Sequence, residues 1–232
     1  MSTSKEVNGM ARKRKVGNLL ALGVLSVLVE RPMHRYEIAA TLEARGKDRD
    51  MAIKWGSLYT VVGNLEKHGF LEVVGSERDG ARPERVIYRI TAAGRAELAD
   101  WTRELIAEPQ PEPRRFVAGL SVMSGLAPDE VIELLGQRLT KLEAEITSGR
   151  AQLAEHDGTL PRLFLVENDF ELAMLEAEAA WVRALRDSFA DGSFPEVELW
   201  RRWYGEGASP ADIMAEVNDR IEKGEPTRPD TN

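Results

Sequence analysis

The sequence predicts a mostly α-helical chain of the α+β class, with one small β-hairpin in a first domain and a helical second domain. Three observations carry that reading. Apolar residues recur at helical spacing through most of the chain, but the period changes to strand-like runs at residues 70–74 and 85–90. The stretch Pro109-Gln110-Pro111-Glu112-Pro113 breaks the chain near its middle. Charge divides at about the same place: residues 1–106 hold 18 Lys+Arg against 14 Asp+Glu, whereas residues 107–232 hold 13 against 25. The net charge of −8 therefore comes from the second half, and an acidic remote domain does not forbid a basic docking face on the first.

Gly17 to Glu30 (GNLLALGVLSVLVE) is nearly all apolar and predicts a buried helix at the centre of the first domain, ended by Pro32. Its apolar run, Leu19 to Val29, is too short to span a bilayer. Lys13 and Arg14 precede it as in a signal peptide, but no small-residue cleavage site follows. His34 to Arg45 repeats the helical period through Tyr36, Ile38, Ala39 and Leu42, and the charged loop Lys47 to Asp50 follows Gly46.

The third helix lies within Trp55 to Leu71 and is the most informative element. Leu58, Val61, Val62 and Leu65 fall in one arc, while Thr60, Gly63, Asn64 and Lys67 share the opposite side with nothing bulky or acidic among them. Ser57 is the expected cap at its start and Gly69 the left-handed residue at its end. Phe70 to Val74 then reads as a strand and Arg85 to Ile90 as its partner. Ser76 to Glu84 joins them, with Asp79-Gly80 as turn residues and Arg78, Arg82 and Arg85 near the tip. Thr91 caps a further helix, Ala92 to Ala107, with Leu98, Trp101 and Leu105 in one stripe.

Helix, helix, helix, strand, basic loop, strand, helix is the order of a winged helix-turn-helix, in which the third helix enters the major groove and the hairpin lies against the neighbouring backbone or minor groove. Over residues 16–106 the chain resembles the PadR-type transcriptional regulators. The phrases that carry the likeness are Leu25-Ser26-Val27-Leu28 with Pro32-Met33-His34-Arg35-Tyr36-Glu37-Ile38, then Gly56-Ser57-Leu58-Tyr59, Leu65-Glu66-Lys67-His68-Gly69-Phe70-Leu71, and Arg85, Tyr88, Thr91 and Ala93-Gly94. Arg35 stands where a glycine is common and Thr60 where a proline is, so the resemblance does not supply the DNA sequence read. It implies dimerisation through a helical C-terminal region.

In the second half, Pro128 with Asp129 and Glu130 opens a helix running to about Glu155. Leu135, Leu139, Leu142, Ile146 and Leu153 form a coiled-coil-like seam along it. Pro161 to Phe189 carries Val166, Phe170, Met174, Ala177, Trp181 and Leu185 as a second stripe. Two such helices do not easily close a core alone, so pairing with a second copy is expected, with two reading helices about one DNA turn apart on a roughly palindromic site. Glu198 to Tyr204 is aromatic, with Trp200 and Trp203 expected to pack on this domain. Ala211 to Ile221 reads as a short helix and Glu225 to Asn232 as a disordered tail.

The candidate DNA contacts are Lys54, Ser57, Tyr59, Thr60, Asn64 and Lys67 around the third helix, with Arg82 and Arg85 in the wing. Asparagine suits a bidentate contact to adenine, threonine a thymine methyl or phosphate, lysine a phosphate or guanine, and arginine a narrow minor groove. Tyr59 reads equally well as a packing residue. Arg12-Lys13-Arg14-Lys15 is an expected basic arm, or a solvated tail, within a flexible segment 1–15. Phe170 and Trp181 are candidates for an effector pocket, although core packing explains them better.

No cysteine, phosphate-binding glycine loop, metal-spacing cluster or nucleophile elbow is present, and His34, His68 and His156 are scattered. Glu176 and Glu178, two apart, point to different faces. The expectation is a non-enzymatic protein of the cytoplasm with no cofactor or metal, whose partners are double-stranded DNA, a second copy and a small-molecule effector, and not a membrane. Its role would be to repress a promoter by occupying an operator. The alternatives are an adaptor that uses the same scaffold to bind protein, or a ligand sensor without a promoter role.

Overall fold

The computed structural model describes residues 14–47, 51, 53–77, 85–109 and 114–205, and positions 211, 212, 215, 218, 219, 222 and 223. The chain forms two compact units, residues 1–111 and 112–232. The first contains α1 (Leu19–Leu28), β1 (Met33–His34), α2 (Arg35–Ala44), a 3₁₀ turn (Trp55–Ser57), α3 (Leu58–Lys67), β2 (Leu71–Glu77), β3 (Arg85–Ile90) and α4 (Ala92–Ala107). This is a winged helix.

Each helix starts where the local chemistry permits. Asn18 Oδ1 accepts from Leu20 N at 2.9 Å to open α1. At α2, His34 Nδ1 accepts from Glu37 N at 3.1 Å while a Glu37 carboxylate oxygen accepts from His34 N at 3.0 Å, a reciprocal capping box. His34 is thus a structural residue. The core gathers Leu20, Val24, Leu25 and Leu28 of α1, Ile38 and Leu42 of α2, and Leu58, Val61, Val62 and Leu65 of α3, closed by Leu71, Tyr88, Ile90 and Trp101. Leu105, expected in the α4 stripe, is instead exposed.

The sheet has the order β1-β3-β2, all antiparallel, with Met33 and Val73 opposite Tyr88 on its two sides. The register shifts between Val73 and Gly75, a bulge that sharpens the twist of the wing. Strand β1 takes His34, expected as the first residue of the second helix, and its two residues are too few to show any period in sequence.

The joint between α3, β2 and α4 is tight. Gly69, at φ 75°, ends α3 in the left-handed conformation. Thr91 Oγ1 accepts from Gly94 N at 3.0 Å and donates to Gly69 O at 2.7 Å, while Thr91 N donates to Phe70 O at 3.0 Å. One threonine therefore caps α4 and ties it to the end of the third helix.

Arg14 corrects the picture of a free basic arm. Its side chain is 6% exposed, donates to Glu97 at 2.7 Å and to Glu104, approaches Asp100 at 3.8 Å, and lies over the Trp101 ring at 5.2 Å. The two carboxylates raise its pKa against the opposing effect of desolvation. Arg14 is pinned to α4, and the arm residues before it lie outside the described residues.

The second unit holds α5 (Arg115–Leu120), α6 (Pro128–His156), α7 (Val166–Ala190) and α8 (Val197–Gly205), with 3₁₀ turns at Met123–Gly125 and Arg162–Phe164. Helices α6 and α7 run antiparallel. Arg138 pairs with Glu178, Arg150 with Glu176 at 2.6 Å and Arg183 with Glu143 at 2.7 Å. The first pair is half-buried and the other two are exposed, and they set register more than stability. The seam of α6 is buried as expected through Leu135, Leu139, Leu142 and Ile146. Phe189, Val197 and Trp200 close its end, the Phe189 ring meeting Phe194 and Trp200 edge-on at 4.8 and 5.7 Å. With α8, the two long helices do make a core of their own.

The face of α7 differs from expectation. Ala179, Val182 and Phe189 are buried and Leu172 and Leu175 packed against them, whereas Val166, Phe170, Ala177 and Trp181 are exposed. Helix α7 is apolar on two sides; of the expected stripe, Leu185 packs against the core, Met174 is half-buried and the rest points outward. The positions described between 211 and 222 are helical.

Candidate nucleic-acid interface

The core-facing residues of α3 leave Thr60, Asn64 and Lys67 exposed along the far side, with Gly63 half-buried between them. Among the described residues, no hydrogen bond or ion pair engages the side chains of these three polar residues. A Cβ added at Gly63 would meet nothing within 4 Å. A helix-interior glycine costs roughly 0.5–1 kcal/mol relative to alanine, and nothing inside the molecule requires one here.

Ser57 does not cap α3 by its side chain. It sits in the 3₁₀ turn and its hydroxyl donates to Lys54 O at 2.7 Å, which tightens the approach to the helix instead. The 3₁₀ turn takes the residues before Leu58, so α3 is ten residues long. Lys54 is exposed on the extended residue just before the turn. Tyr59 stands 67% exposed at one edge of the outward face. Arg85 is half-buried at the start of β3, and Arg82 lies outside the described residues. Thr60, Asn64, Lys67 and Tyr59 thus share the outer surface of one helix.

Arg35, absent from the sequence candidates, lies beside this face. Its guanidinium carbon is 4.9 Å from the Tyr59 ring centre and 5.0 Å from that of Tyr88, and its Nη2 donates to Tyr88 Oη. Burial pushes the Tyr88 phenol up, with Arg35 acting in the opposite sense. One sequence signal could have flagged it: a cation in the first turn of a helix opposes the macrodipole and calls for a local reason.

In the second unit an open cavity of about 630 Å³ is lined by Phe116, Met174, Trp181, Arg114, Arg115 and Arg138, among others. Phe116 and Trp181 meet edge-on at 6.1 Å and the Arg138 guanidinium lies 3.8 Å over the Phe116 ring. Trp181 belongs to this cavity. Phe170, 62% exposed, is not part of its wall, and neither residue is packed in a core. Among the described residues no group of three or more His, Cys, Asp or Glu is arranged to hold a metal ion, and no helix is long and apolar enough to cross a membrane.

Residues 24–100 match the transcriptional regulator PadR-like family. About three quarters of the chain is similar in fold to solved structures of low identity. Bacillus subtilis PadR in complex with operator DNA aligns at a TM-score of 0.57 and 19% identity over 73% of this chain and 98% of that one. The same protein in complex with p-coumaric acid gives 0.59 and 18%, over 73% and 97%. The PadR-like regulator BC1756 from Bacillus cereus gives 0.51 and 16%, over 72% and 96%. Comparison with curated protein sequences gives no match.

Proposed function

We propose that this chain, whose residues 24–100 match the PadR-like family, is a DNA-binding transcriptional regulator that represses a promoter by placing the outer face of α3 in the major groove. The observation that carries this is the stripe of Thr60, Gly63, Asn64 and Lys67, polar, uncommitted within the fold, and built round a glycine that opens the helix surface to a close partner. Asn64 reads adenine, Lys67 and Lys54 hold phosphate, and Arg85 in the wing reaches the flanking backbone.

Fluorescence anisotropy on the DNA upstream of the protein's own gene tests this. Asn64→Ala is expected to weaken binding by about 1–3 kcal/mol, or roughly 5- to 150-fold. Lys67→Ala should lower the slope of log K against log salt by about one phosphate. Gly63→Ala is the sharper case: it should stabilise the folded unit by about 0.5–1 kcal/mol and yet weaken DNA binding. Unchanged affinity in all three would remove this face as the reading surface.

We infer that the protein acts as a homodimer on a palindromic operator. The outward stripe of Val166 and Phe170 on α7, continued by Trp181 whose ring meets Phe116 at its edge, is apolar and exposed, a surface that a second copy would cover. Sedimentation equilibrium should return the mass of two chains, and a strictly single-chain mass at micromolar concentration contradicts the assignment. The arginine- and aromatic-lined cavity beside Trp181 is the proposed effector site. The p-coumaric acid complex of B. subtilis PadR supports a small aromatic acid as its occupant here. Such an acid should lower the operator affinity in the same titration if it binds the two states unequally. An affinity unchanged at saturating acid removes that role.

A further inference from the structure

Arg35 is the one cation in the first turn of α2, where the helix dipole disfavours it, and it is half-buried. Its Nε is buried without a hydrogen-bond partner. A residue held there against both dipole and desolvation needs a compensating contact, and the structure supplies two: the faces of Tyr59 and Tyr88, 4.9 and 5.0 Å from the guanidinium carbon, and the Tyr88 hydroxyl that accepts from Nη2. Tyr88 is fixed, being 2% exposed between β1 and β2. Tyr59 is not, since most of its ring faces outward from the edge of α3.

We propose that Arg35 is a positioning residue: clamped on the immobile Tyr88, it holds the Tyr59 ring at the edge of the reading face so that the Tyr59 hydroxyl donates to a backbone phosphate of the bound duplex. The inference rests on the reading of α3 as the DNA-facing helix. Arg35 acts through Tyr59 and does not itself neutralise a phosphate. A lysine would keep the charge but not the planar guanidinium that stacks on both rings.

The test is a salt series of anisotropy titrations with the full chain, using Arg35→Met, Arg35→Lys, Tyr59→Phe, Tyr59→Ala and the double variant Arg35→Met/Tyr59→Ala. Wild-type protein that binds no duplex overturns the DNA reading itself. Given binding by the wild type, Arg35→Met is expected to weaken affinity by roughly 3- to 30-fold, the range of a partly desolvated cation–π contact. Arg35→Lys should recover only part of that loss. The salt slope should stay unchanged in every variant, because no cation has been taken from a phosphate. The double variant should bind no more weakly than Tyr59→Ala, and Tyr59→Phe should lose affinity while keeping the ring stack. A slope reduced by about one in Arg35→Met would make Arg35 a direct phosphate contact and overturn the proposal, as would full additivity in the double variant or wild-type affinity in Arg35→Met. If Arg35→Met does not fold, Arg35→Gln takes its place in the slope and additivity readings, and wild-type affinity in Tyr59→Phe overturns the proposal.

Discussion

Replacing Gly94 by alanine is expected to destabilise the winged-helix unit by about 3 kcal/mol or more, beyond the usual cost of overpacking. The added Cβ would stand 2.2 Å from Phe70 O and 2.8 Å from Ile90 Cγ1. A backbone oxygen cannot swing aside like the end of a long side chain. Phe70 O is also held, accepting from Thr91 N at 3.0 Å. Relief requires the start of α4 to lift from the joint where α3 ends and β2 begins, and that movement carries α3 with it. The thermal midpoint of this unit should fall by more than about 12 °C, given roughly 4–8 °C per kcal/mol for a domain of this size. DNA affinity should fall at temperatures where the unit is still folded. A variant that melts like the parent would show that the close approach at Gly94 is wrong.

The second large effect belongs to the helical unit. Phe189→Ala removes a ring with no exposed surface from the point where α7 turns back to α8, and with it the edge-on contacts to Phe194 and Trp200. Deleting a buried aromatic ring leaves a cavity as well as lost transfer energy, typically about 3–5 kcal/mol. The unit also contains a buried Trp200 Nε1 with no hydrogen-bond partner, so loosening this corner would admit water to an unsatisfied donor. Denaturation followed by tryptophan emission and far-ultraviolet circular dichroism should show this unit unfolding at markedly lower denaturant. A loss below about 1 kcal/mol would mean that the corner repacks and that Phe189 is not its keystone.

What could be read from the sequence was what depends on local period and on capping chemistry. In α3 the apolar arc and the polar face alternate without ambiguity, so both its burial and its outward residues were visible. Thr91 announced α4, and the leucine spacing of α6 announced its seam. The rest depends on contacts distant in sequence. Helix α7 is apolar on two sides, and periodicity cannot say which side meets α6. Ser57 has the residue type of a cap, but the 3₁₀ turn before it directs its hydroxyl to Lys54 O. Arg35 reaches Tyr88, 53 positions away, and Arg14 reaches Glu97 and Glu104, so neither partner is implied by neighbouring residues. The acidic row Glu97, Asp100 and Glu104 on one side of α4 was visible, and it is the signal that a cation would lie against it.

Selection of binding sites from a random duplex library, with wild type and Asn64→Ala run in parallel, puts the outward face of α3 to the test. The wild type should enrich a two-fold symmetric sequence with half-sites about one helical turn apart. Asn64→Ala should keep the symmetry and spacing but lose the preference at one A·T pair in each half. Enrichment of the same motif with the same base preferences by both proteins, or no enrichment by the wild type, would contradict the assignment of this helix as the reader.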